Sequence, residues 1–186
     1  MNYFRRFWKF LREDNWQSLI VSLILIFLFI RFIFFPVVGF VFGSELPLVV
    51  VESCSMYHER GFEGWWEQNA PWYENKDITL SDFEQFPFKN GINKGDVIVV
   101  WGRSELRMGD VIIFNSEYTY PLIHRLVDIN PLSTKGDHNP AQLSAEGDIP
   151  KDAVIGKAVL RVPALGWIKL IFFEALKPKG QRGFCR

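Results

Sequence analysis

The chain has 186 residues, enough for one domain of ordinary size and a further element. Lys+Arg and Asp+Glu both number 21, and this balance offers no basic excess for a nucleic-acid partner. Two cysteines, Cys54 and Cys185, are too few for a disulfide framework or a zinc site of their own, and leave open one bridge or two free thiols.

In residues 1–15, Tyr3, Phe4, Phe7, Trp8, Phe10 and Leu11 alternate with Arg5, Arg6, Lys9 and Arg12. This pattern suits a basic amphipathic helix on the inner membrane surface. From Trp16 to Phe42 the only charge in 27 residues is Arg31, and a bilayer core needs about 20 apolar residues. A cleaved secretory signal has a shorter apolar core and an A-x-A-like end, which this block lacks. No polar face recurs at helical spacing, so residues 16–42 read as a retained transmembrane anchor rather than a core helix. The basic residues before the span, with no Lys or Arg in 43–51, predict a cytoplasmic N-terminus and an exported remainder. A central Arg costs roughly 2.5–3.5 kcal/mol on insertion scales, so Arg31 is expected to snorkel, or to pair with an acidic group of a partner membrane subunit.

After the anchor the pattern changes to short β-branched runs at Leu48–Val51, Asp96–Val100, Val111–Phe114, His124–Ile129 and Val154–Val162. Two are near copies, Lys94-Gly95-Asp96-Val97-Ile98 and Met108-Gly109-Asp110-Val111-Ile112, in which Gly-Asp makes the turn and the apolar run is a buried strand. Asp96 and Asp110 are accordingly read as turn residues, and residues 43–170 as a mainly β, mostly antiparallel domain. Residues 57–94 interrupt it with Trp65, Trp66, Trp72, Tyr73, Phe83, Phe86 and Phe88. A segment of this length is an ordered insertion packed on its own aromatics, or one that places its tryptophans at the membrane interface; packing is the expectation. The apolar stretch Val162–Leu176 is too short to span and is read as a core-docked or interfacial helix leading into a basic tail, residues 171–186.

Candidate chemistry centres on Val51-Glu52-Ser53-Cys54-Ser55-Met56-Tyr57-His58. A serine needs a neighbouring base, and the histidines are His58, His124 and His138. No pair of them has the spacing of known zinc motifs, so neither metal nor other cofactor is expected.

In chain order, Ser53-Cys54-Ser55-Met56 resembles the Ser-x-Ser-Met box of type I signal peptidases, and Ile123-His124-Arg125 the His-Arg box of their archaeal and endoplasmic-reticulum branch. Thr134-Lys135-Gly136-Asp137-His138-Asn139 is similar to that branch's Thr-Lys-Gly-Asp-x-Asn box, and Gly156-Lys157-Ala158, with Pro163 and Gly166, to its closing strand and turn. The boxes cover residues 44–170 apart from the insertion. The resemblance implies a coiled antiparallel β-sheet, a membrane-bound serine endopeptidase, and signal-peptide-bearing preproteins as partners at the bilayer. It implies Ser55 as nucleophile, His124 as general base, and a carboxylate orienting His124, for which Asp137 and Asp148 are equal candidates. The family's second acid falls at Leu143, so the sequence departs from the pattern there. The Ser55 N–H and the Ser53 hydroxyl are the expected oxyanion donors. The competing expectation is a non-catalytic membrane-anchored β-domain serving as an assembly or binding module.

Overall fold

The computed structural model describes residues 2–185. The chain divides into two compact units, residues 1–41 and 42–186.

In the first unit, α1 (Asn2–Phe10) stacks Phe4 on Trp8, and the Arg12 guanidinium lies 5.4 Å from the Trp8 ring. Asn15 caps the next helix by accepting the Ser18 N–H at 2.7 Å. The helix continues from Trp16 to Phe42 as α2 (Trp16–Phe29), a π-turn over Ile30–Phe34 and α3 (Phe35–Phe42). It is long and apolar enough to cross a membrane, and Leu23, Ile26, Phe27, Phe32 and Phe40 are all exposed. Outward apolar side chains along its length are what a lipid solvent requires. Arg31 sits in the π-turn with its guanidinium over the Phe32 ring.

The second unit is built on one antiparallel sheet of six strands in the order β1-β2-β6-β3-β4-β5. These are β1 (Leu48–Val50), β2 (Val97–Trp101), β3 (Val111–Phe114), β4 (Leu122–Ile129), β5 (Leu132–Lys135) and β6 (Val154–Val162). The near-copies become β2 and β3, which flank β6 on either side. Asp96 and Asp110 close their turns by accepting the N–H of Asn93 and Arg107, at 2.8 and 2.9 Å. Gly95 has a φ of +89°, and a Cβ there would lie 2.1 Å from the Trp167 indole nitrogen. The pairing register shifts at Val99/Val100, Ile113/Phe114 and Leu126/Asp128, irregularities that bend a sheet and raise its twist.

The description mainly β holds only for the sheet: helix makes up about 39% of the chain and strand about 18%. The anchor accounts for part of the difference and the insertion for another part, because the insertion folds as α4 (Gly61–Glu74) and α5 (Leu80–Phe83). Thr79 and Asp82 form a capping box at the start of α5. Trp65, Trp66, Tyr73, Ile78 and Phe83 form a buried cluster with Val127 of β4, so the insertion is packed on its own aromatics. At the C-terminal end, α6 (Trp167–Phe173) buries Leu170, while Ile168, Ile171 and Phe172 face outward. This helix lies within the apolar stretch Val162–Leu176.

Candidate functional site

The loop after β1 is pinned before it reaches the serines. Val51 donates its N–H to the Asp96 carbonyl at 2.9 Å and accepts the Gly95 N–H at 2.8 Å. Met56 is buried and its carbonyl accepts the Ile92 N–H at 2.8 Å, while the Ser55 carbonyl accepts the His138 N–H at 2.8 Å. Cys54 points away to a disulfide with Cys185, their Cα atoms 5.6 Å apart. Glu52 receives ion pairs from Lys169 at 2.8 Å and Lys177 at 3.6 Å, so the C-terminal segment braces the loop just before the serines.

His124 lies on β4 opposite Ile112 of β3, with 2% of its surface exposed. Its Nε2 is 2.9 Å from Ser55 Oγ, and its Nδ1 is 2.5 Å from Glu146 Oε1. An ionised carboxylate only accepts hydrogen bonds, so Glu146 fixes the tautomer with the proton on Nδ1. Nε2 is then the acceptor aimed at the Ser55 hydroxyl. Glu146 is fully buried in a 3₁₀ turn, Ser144–Glu146, where Thr134 donates its hydroxyl to Oε1 at 3.2 Å and Leu143 its N–H to Oε2 at 2.6 Å. Ser53 Oγ lies 3.2 Å from Ser55 Oγ, within hydrogen-bonding reach.

The structure thus brings Ser53, Ser55 and His124 together, and it puts Glu146 where Asp137 or Asp148 was expected. Asp137 is fully buried, but its carboxylate bonds Arg125, His58 and Tyr73 instead of His124. Burial alone would raise its pKa; the Arg125 charge and the bonds from His58 and Arg125 hold it well below the usual carboxylate range. Asp148 is exposed beside Asn115 and Ser116 in a shallow surface depression. It lies two residues past Glu146, and the turn that buries Glu146 leaves it outside.

His58 is buried, stacked on Trp65 with ring centroids 3.8 Å apart, and burial pushes its pKa down. The Lys135 ammonium, 5.0 Å from the Trp72 ring and 5.1 Å from the Tyr73 ring, is pushed by burial to about 8. His138 is exposed and meets Tyr57 edge-on. Among the described residues no group of three His, Cys, Asp or Glu side chains could hold a metal ion.

Glu146 carried one signal in the sequence, as the only acid between Asp137 and Asp148. Ser55 and His124, with Glu146 behind the imidazole, have the same geometry as a nucleophile, base and orienter set for acyl transfer. The sequence matches no family model and no curated protein.

Proposed function

We propose that the chain is a membrane-bound serine endopeptidase that removes N-terminal signal peptides from exported preproteins, of the Ser-His type I kind. The observation that carries this reading is the hydrogen-bonded series Ser55 Oγ, His124 Nε2, His124 Nδ1 and Glu146 Oε1. His124 takes the hydroxyl proton as Ser55 Oγ bonds to the scissile carbonyl carbon, and the carbonyl oxygen becomes an oxyanion. The Ser55 N–H and Ser53 hydroxyl supply donors to that oxyanion. As the C–N bond breaks, His124 returns the proton to the leaving amine of the mature protein. The signal peptide is left as an ester on Ser55. His124 then deprotonates a water, which attacks the ester and releases the peptide and the Ser55 hydroxyl.

Two observations support an exported catalytic unit. The Cys54–Cys185 disulfide suits an oxidising compartment. The basic residues before the Trp16–Phe42 helix favour a cytoplasmic N-terminus. The substrate's extended, small-residue cleavage end suits a site beside a sheet.

Full-length chain in proteoliposomes, mixed with a preprotein, should release a mature product whose N-terminus follows the A-x-A-like end. A preprotein with bulky residues at those two positions should stay intact. If the chain leaves both preproteins uncut under conditions where its fold is intact, the reading as an assembly module takes over.

A further inference from the structure

We infer that the helical insertion is a positioning element for the Ser55–His124 pair, acting through Asp137, with His58 and Tyr73 as positioning residues. This rests on the peptidase reading for its kinetic consequence, though not for its geometry.

Asp137 gathers donors from the loop beyond Ser55, from α4 and from β4 beside His124. His58, three residues past Ser55, donates Nε2–H to Oδ2 at 2.9 Å. Tyr73 of α4 donates its hydroxyl to Oδ1 at 3.0 Å. Arg125, adjacent to His124 on β4, donates Nε–H to Oδ1 at 2.9 Å and an NH2 proton to Oδ2 at 2.7 Å. A carboxylate offers about four acceptor positions, so this set fills it. The Asp137 backbone is held as well: its carbonyl accepts the Trp65 indole N–H at 3.0 Å, and its own N–H points at Met56 Sδ at 3.5 Å. The neighbours of Asp137 touch the reacting pair. His138 donates its N–H to the Ser55 carbonyl, and a Cβ on Gly136 would lie 2.9 Å from His124 Nε2.

Stability alone does not explain this polar set. Arg125 alone already pairs the charge of the carboxylate with two N–H donors, and buried ion pairs add little over apolar packing. Among the described residues the buried His58 Nδ1 has no hydrogen-bond partner, which carries a desolvation penalty that a core phenylalanine on Trp65 would not. The penalty is accepted where the Nε2–H bond fixes the loop beyond Ser55.

Asp137 variants risk global unfolding, so the test uses His58→Phe, which keeps the ring stack, His58→Gln, which can keep a donor, and Tyr73→Phe. In the full-length chain, His58→Phe and Tyr73→Phe are expected to lower kcat by on the order of 10- to 100-fold with KM nearly unchanged, as small misplacements do. His58→Gln should recover part of that loss. Independently of peptidase activity, the low-field proton resonance of His124 Nδ1–H should move in both phenylalanine variants and stay near its wild-type position in His58→Gln. Folded phenylalanine variants with an unmoved resonance would overturn the inference, whatever their melting temperatures. A moved resonance in a chain whose wild type cuts no preprotein would uphold the positioning and remove only the peptidase reading.

Discussion

Glu146 reaches His124 because a 3₁₀ turn folds its side chain inward, where Thr134 and the Leu143 N–H hold the two carboxylate oxygens. Removing its charge while keeping its shape should leave the imidazole free to take the wrong tautomer. Glu146→Gln is therefore expected to lower kcat by about 10²–10⁴ with little change in KM, and Asp148→Asn to leave turnover as it was; steady-state kinetics on both variants checks this. At the same scale, His58 gives a pH dependence. Its pKa is lowered chiefly by burial, with the nearby Arg125 charge adding to this against the opposing pull of Asp137. Between the ordinary value near 6.5 and the lowered one, the unfolded chain binds a proton that the folded chain does not. Stability is therefore fully present above about 6.5 and declines as pH falls below it. Urea unfolding at stepped pH should show this slope in the wild type and a smaller one in His58→Phe. That Ser55 and His124 meet was legible from their boxes. The acid was not, because its role depends on a turn that buries Glu146 and leaves Asp148 outside, a choice made by backbone geometry rather than residue type.

Among the elements, the strands from the Gly-Asp repeats were legible because both local turn chemistry and apolar runs agreed. β5 was hidden because Leu132–Lys135 is mostly polar, yet Ser133, Thr134 and Lys135 are buried. Their partners (Gln142, Glu146 and the Gly136 carbonyl) come from residues outside the strand. The helices of the insertion were hidden by Gly61, Gly64 and Pro71, which weaken a helical pattern, while burial of Trp65 and Tyr73 against Asp137 and β4 holds α4 in place. The C-terminal segment is joined to the loop after β1 by Cys54–Cys185, across a sequence separation of 131. Closing so long a loop restricts the unfolded chain, so the double variant Cys54→Ser with Cys185→Ser should lose about 2–4 kcal/mol in denaturant unfolding. Equal stability with and without the bridge would mean that the Glu52 ion pairs and α6 packing suffice to hold the segment.

On the scale of the whole molecule, the sequence had one unmistakable feature, a 27-residue apolar run with a single charge, and it folds as a continuous helix. The rest reaches its form through long-range contacts: Ser55 and His124 are 69 residues apart, and Asp137 bonds a histidine 79 residues away. Three elements meet where Ser55, His124 and Glu146 lie together, namely the loop after β1, β4 and the turn after β5. Such a site offers one decisive substitution: in the proposed reaction Ser55 Oγ forms the acyl ester, and its loss removes only its own bonds to His124 Nε2 and Ser53 Oγ. The most direct test compares preprotein processing by wild type and Ser55→Ala, at equal amounts of folded full-length chain in the same proteoliposomes. Loss of at least about 10³-fold in the variant is expected for a nucleophile, and processing at the wild-type rate would contradict the assignment.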